Sequence, residues 1–136
     1  MKSVKIVTVL AIVLVAITFL GVASAAEVTI GDEKFNIPDG FEEDAEGSED
    51  IKDSTGTTYI KCYKNDQDDA IIINVVTVDD GSLTLEKLPG FKDASFNGID
   101  GLFNKNTTEF EYVHDGKQIF VSAHDEDLLK EVLIKP

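Results

Sequence analysis

TEFEYVHDGKQIFVSAH, residues Thr108–His124, decides the fold. Asp115-Gly116 sits between two runs of β-branched and aromatic residues, the pattern of a two-residue hairpin turn. Such a turn sets the register. His114 pairs with Lys117, Tyr112 with Ile119, and Phe110 with Val121, and all six share one face. Glu109, Glu111, Gln118 and Ser122 collect on the other face with Val113 and Phe120, so the first face is the one to bury.

The rest of the chain extends this hairpin. Thr57–Tyr63 and Ala70–Val78 (AIIINVVTV) are the strongest further strand candidates, joined by a polar loop, Lys64–Asp69. Asn74 interrupts one face of AIIINVVTV, so Ile71, Ile73 and Val75 are expected in the core. Asn97-Gly98 marks a second hairpin, between Phe96 and Ile99. Val28–Ile30 and Lys34–Ile37 form two short strands around Gly31-Asp32-Glu33. Between them and Thr57, residues 39–53 hold eight acids and one lysine and read as a solvated loop. Ser82 is a candidate cap for one or two helical turns through Leu83, Leu85 and Leu88, stopped by Pro89-Gly90. Asp125 opens a C-terminal helix in which Leu128, Leu129, Val132 and Leu133 make one apolar stripe. These elements predict an α+β domain: an antiparallel sheet of about six or seven strands with the C-terminal helix packed on one face.

The first residues carry a different message. Lys2 and Lys5 precede an uncharged stretch beginning at Ile6, and Ala23-Ser24-Ala25 offers the small residues of a cleavage site. Residues 1–25 therefore read as a signal peptide, leaving Ala26–Pro136 as a single secreted or cell-envelope domain. Retention of the segment as a membrane anchor is the rival reading, since roughly 20 apolar residues span a bilayer.

Charge narrows the functions further. Without Lys2 and Lys5, ten lysines face 26 acids, a net charge of −16, and arginine is absent. Such a surface repels nucleic acid and anionic lipid, and no guanidinium is present to grip phosphate. Cys62 is the only cysteine, which leaves three roles: a buried hydrophobe, an intermolecular disulfide, or a reactive thiol.

No cofactor or catalytic signature emerges. The regular hairpin puts His114 and His124 roughly 23 Å apart on opposite faces, so they cannot share a zinc, and both read as surface residues. Calcium ligands at EF-hand spacing fail from Asp66, where Ala70 and Ile71 occupy key positions, and from Asp44. An irregular cation site built from Asp66, Asp68 and Asp69, or from Glu42, Glu43 and Asp44, stays open beside plain solvation. Ser122-Ala123-His124-Asp125 cannot assemble a triad, because neighbours on a strand point to opposite faces. Asn106-Thr107-Thr108 is a glycosylation sequon with Asn106 as acceptor.

NGIDG (Asn97–Gly101), the hairpin and helix run FEYVHDGKQIFVSAHDEDLLKEVL, and the opening VTIGDEKFNIPDGF together resemble small exported proteins of methanogenic archaea. The resemblance implies fold and compartment, and no activity. The expected function is a non-enzymatic binding module whose partner is an extracellular protein or cell-surface polymer. A calcium-binding envelope protein and a small hydrolase are the alternatives.

Overall fold

The computed structural model describes residues 25–81 and 83–136, so the expected signal segment lies outside the described residues, apart from Ala25. Ten strands and one helix follow in order: β1 Ala26–Ile30, β2 Glu33–Ile37, β3 Glu42–Glu43, β4 Glu49–Lys52, β5 Gly56–Lys64, β6 Ala70–Val78, β7 Phe91–Phe96, β8 Ile99–Asn104, β9 Glu109–His114, β10 Lys117–Ser122 and α1 Glu126–Val132. β3 to β10 form one eight-stranded antiparallel sheet in the order β3-β5-β6-β10-β9-β8-β7, with β4 continuing β3 along β5. β1 and β2 make a separate hairpin.

The registers written from the turns are the observed ones. Lys117 faces His114, Ile119 faces Tyr112 and Val121 faces Phe110; Phe96 faces Ile99. Both turns need a left-handed backbone at two successive residues, and Asn97 and Gly98 (φ 54° and 81°) and Asp115 and Gly116 (51° and 73°) supply it. Ile71, Ile73, Val75, Phe110, Ile119 and Val121 are fully buried.

The β1–β2 hairpin and α1 close over this face. Phe35 of β2 bridges to Leu133, and Phe35, Leu129 and Val132 are all fully buried. Each such side chain contributes about 1.5–3 kcal/mol through burial. Asp125 caps the helix, accepting from the Leu128 N–H at 2.8 Å. At the other end Asn97 Nδ2 donates to the Lys130 and Leu133 carbonyls at 2.7 and 3.0 Å, tying the β7–β8 turn to carbonyls the helix leaves free.

Two expectations are corrected. The acidic segment 39–53 is not simply a solvated loop, for it adds β3 and β4 to the sheet edge, which is why the sheet exceeds six or seven strands. Exposed acids suit an edge because they discourage further pairing. Between these strands, residues 44–48 stand opposite only Lys61 and Cys62 and fold into a 3₁₀ turn, Ala45–Gly47. The second correction concerns residues 83–88, which form no helix, and Leu88 is exposed. Leu83 and Leu85 are half-buried without a helix, and a run this short is not helical on its own propensity. This segment belongs to the link from β6 to β7, which in the sheet lie on either side of β10, β9 and β8.

Candidate functional site

Two regions gather chemistry, one under the covering layer and one on the face it leaves open. The first centres on Glu33, which starts β2 just after the Gly31-Asp32 turn and is 3 % exposed. Its Oε2 accepts from Lys117 Nζ at 2.8 Å and lies 2.8 Å from His114 Nδ1. His114 Nε2 is 3.6 Å from Asp115. The hydrogen bond to Glu33 pushes the Lys117 ammonium above its ordinary value. Burial, reinforced by the Glu33 charge, raises the Tyr112 phenol strongly. A cleft of about 410 Å³ opens beside the cluster, lined by Glu27, Asp32, Lys34, His114 and Lys135 among others.

This arrangement adds a buried partner to the surface reading of His114, whose side chain is 37 % exposed. The register had placed His114 and Lys117 on the buried face, and at its rim they reach the one carboxylate that the β1–β2 hairpin buries. The ionic cluster joins two turns distant in sequence. Its groups are mutually satisfied, which suits a fixed joint between the layers.

The second region is the outer sheet face. One row of paired residues crosses it from edge to edge: Glu49, Ile60, Asn74, Phe120, Glu111, Leu102 and Asp93. Around its centre, Ile51, Ile72 and Val113 are exposed at 43, 38 and 37 %. Ile60, Val76 and Phe120 are half-buried. Asn74 Oδ1 is, among the described residues, the buried side-chain polar atom without a hydrogen-bond partner. Toward β8 the same face closes, since Leu102 and Glu111 are buried. Burial raises the Glu111 carboxyl above its ordinary value, while Gln118 Nε2, 3.3 Å away, counters part of that shift.

Cys62 lies on the outer face at a second closed place, near the β3–β5 edge and beneath the 3₁₀ turn. A Cβ on Gly47 would stand 2.8 Å from the Cys62 Cβ and 3.2 Å from its Sγ, so only glycine fits there. Burial pushes the thiol up, with the Asp44 charge adding to it. Of the three roles open to Cys62, the structure supports the buried hydrophobe.

The acidic candidates do not converge. Asp69 hydrogen-bonds Asn65 at 3.2 Å and lies 3.5 Å from exposed His124, while Asp66 and Asp68 face solvent on the turn. Glu43 pairs with Lys61 at 3.6 Å and Asp44 with Lys64 at 3.2 Å. Among the described residues no group of three metal-ligating side chains comes together. Asn106 is exposed in the β8–β9 turn. Ser122 ends β10, and His124 lies beyond it.

Sequence reasoning missed Glu33 and the outer face. The signal for the second was present in AIIINVVTV, which is apolar at alternating positions of both parities. Such a run suits a strand buried on both sides. Comparisons with family models, curated proteins and solved structures find no match for this chain. Fold and surface define an antiparallel α+β sheet domain with one face closed and the other largely open.

Proposed function

We propose that the chain is an exported, non-enzymatic binding module of the secreted or cell-envelope space, and that the outer sheet face is its docking surface. The compartment rests on the Lys2/Lys5 start, the apolar stretch and Ala23-Ser24-Ala25. One observation carries the docking assignment: β6 places Ile72, Asn74 and Val76 on the part of the outer face that, among the described residues, stays partly exposed, amid Ile51, Val113 and Phe120. Partly exposed apolar side chains gathered on one face, here with Thr58, Asn74 and Gln118 interleaved, mark interaction sites.

The test is photo-crosslinking in the native envelope or medium, with a photoreactive side chain replacing Ile72 or Val113 and a control replacing exposed Asp39. Discrete adducts from positions 72 and 113, and none from 39, are the expected result. Equal labelling from all three positions, or none from 72 and 113, would overturn the assignment.

A further inference from the structure

Resting on the reading of the outer face as a docking surface, we infer that its partner is a basic protein surface with an apolar centre. The inference comes from where the strands send their charges. Glu49 and Glu109 flank the apolar patch on the outer face, and Asp93 and Asp100 add acids to the same face beyond the buried Leu102 and Glu111, as the strand registers require. The sheet strands direct one lysine to that side, Lys64, at the far corner and held 3.2 Å from Asp44. Lys52, Lys61, Lys92 and Lys117 project from the other face. Near the rim, Lys87 of the β6–β7 link is engaged with Asp93 at 3.2 Å.

Charge then selects among occupants. A second copy would bring acidic rim against acidic rim, on domains that each carry −16 once residues 1–25 are removed. An anionic polymer or lipid surface meets the same repulsion. A neutral polysaccharide needs a dense set of hydrogen-bonding groups, and the centre of this face scatters only Thr58, Asn74 and Gln118 among aliphatic side chains and Phe120. A protein surface with lysines or arginines around apolar side chains complements both the rim and the centre. Opposite potentials would also steer it to the face and raise its association rate. A donor from the partner, met by a swing of the Asn74 side chain, would satisfy the unpaired Oδ1.

The test uses the Ala26–Pro136 protein and three amphipathic peptides read by fluorescence anisotropy. One carries a leucine face and lysines, one a leucine face and glutamates, and one lysines with serine replacing leucine. The lysine–leucine peptide is expected to bind about tenfold tighter than either of the others. Ile72→Thr with Val113→Thr, which keeps β-branching at both positions, is expected to weaken it about tenfold. Glu49→Gln with Asp100→Asn is expected to weaken it several-fold and flatten its salt dependence. Asp39→Asn with Asp127→Asn removes the same charge elsewhere and is expected to leave binding unchanged.

If the glutamate–leucine peptide binds equally well and is still lost in the Ile72/Val113 variant, the basic partner is overturned and the docking face stands. If the Ile72/Val113 variant binds all three peptides as before, both readings fall. Equal binding of the lysine–serine peptide, equal weakening by Asp39→Asn with Asp127→Asn, or no binding of the lysine–leucine peptide would each overturn the basic, apolar-centred partner.

Discussion

Along β6 the two faces of one strand meet different fates. Ile71, Ile73 and Val75 point under the β1–β2 hairpin and α1 and are fully buried, while Ile72 between them is 38 % exposed and Asn74 and Val76 are half-buried. The residue types hardly differ, so composition does not explain the contrast. The covering layer does, because along β6 the β1–β2 hairpin and α1 pack on the side of Ile71, Ile73 and Val75. An open face costs little in β-propensity but leaves apolar area in water, which is why the difference points to binding.

The largest effect should come from the closed side. Leu129→Ala or Val132→Ala is expected to cost about 2–5 kcal/mol, whereas Ile72→Thr should stay within about 0.5 kcal/mol. Urea unfolding of the three variants measures both, and comparable losses would erase the contrast.

Next comes the ionic joint beneath the covering layer. Lys117→Met leaves Glu33 buried without its ammonium and is expected to cost about 3 kcal/mol, with Glu33→Gln added in the same chain recovering part of the loss. The joint also predicts a pH dependence. Lys117 has a raised pKa in the fold, so its contribution is complete below its ordinary value of 10.5 and fades as pH climbs through the higher folded value. Burial also raises Cys62 from 9.0, and Tyr63 from 10.0 to about 12, with the same sign. Stability should therefore fall steadily above pH 9, and less steeply in Tyr63→Phe. A flat profile from pH 8 to pH 11 would contradict it.

A smaller effect is expected at the open centre. Asn74→Val removes an unpaired buried acceptor from a strand of β-branched residues and should stabilise the isolated domain by about 1 kcal/mol. Destabilisation would mean that the Asn74 amide is satisfied in the free protein. A stabilised variant that also loses the lysine–leucine peptide would sharpen the contrast, because the polar atom would then serve the partner.

How much of this was legible in the sequence differs by region, for physical reasons. Hairpin registers follow from local turn chemistry, so Asp115-Gly116 disclosed its pairings and buried face, and Asn97-Gly98 the turn between Phe96 and Ile99. Glu33 was hidden because its partners lie 81 and 84 positions away, and nothing local announces a carboxylate carried into the layer interface by a separate hairpin. The acidic stretch 39–53 misled because its strands are edge strands, defined by pairing with β5 and not by apolar alternation of their own. Residues 83–88 misled in the opposite sense, since leucine spacing alone does not make a helix: Leu83 and Leu85 are half-buried in a segment with no helical turn.

The smallest effect concerns the charge that rings the open face. Across most of the exterior the acids have few lysines to answer them, and at low salt their repulsion acts over long distances. The Debye length shrinks from roughly 10 Å at 0.1 M to roughly 3 Å at 1 M, so added monovalent salt should raise the melting temperature modestly. Calcium is expected to add nothing beyond magnesium at equal ionic strength. A dedicated calcium site gathers six to eight oxygens, whereas Asp69 is already engaged with Asn65 and lies beside His124, while Asp66 and Asp68 face solvent. A calcium-specific rise in melting temperature, abolished by changing Asp66, Asp68 and Asp69 to Asn, would favour the calcium-binding alternative and make the acidic rim a cation store. A rise shared equally by sodium, magnesium and calcium at matched ionic strength leaves the rim as a field that partners of opposite charge can read.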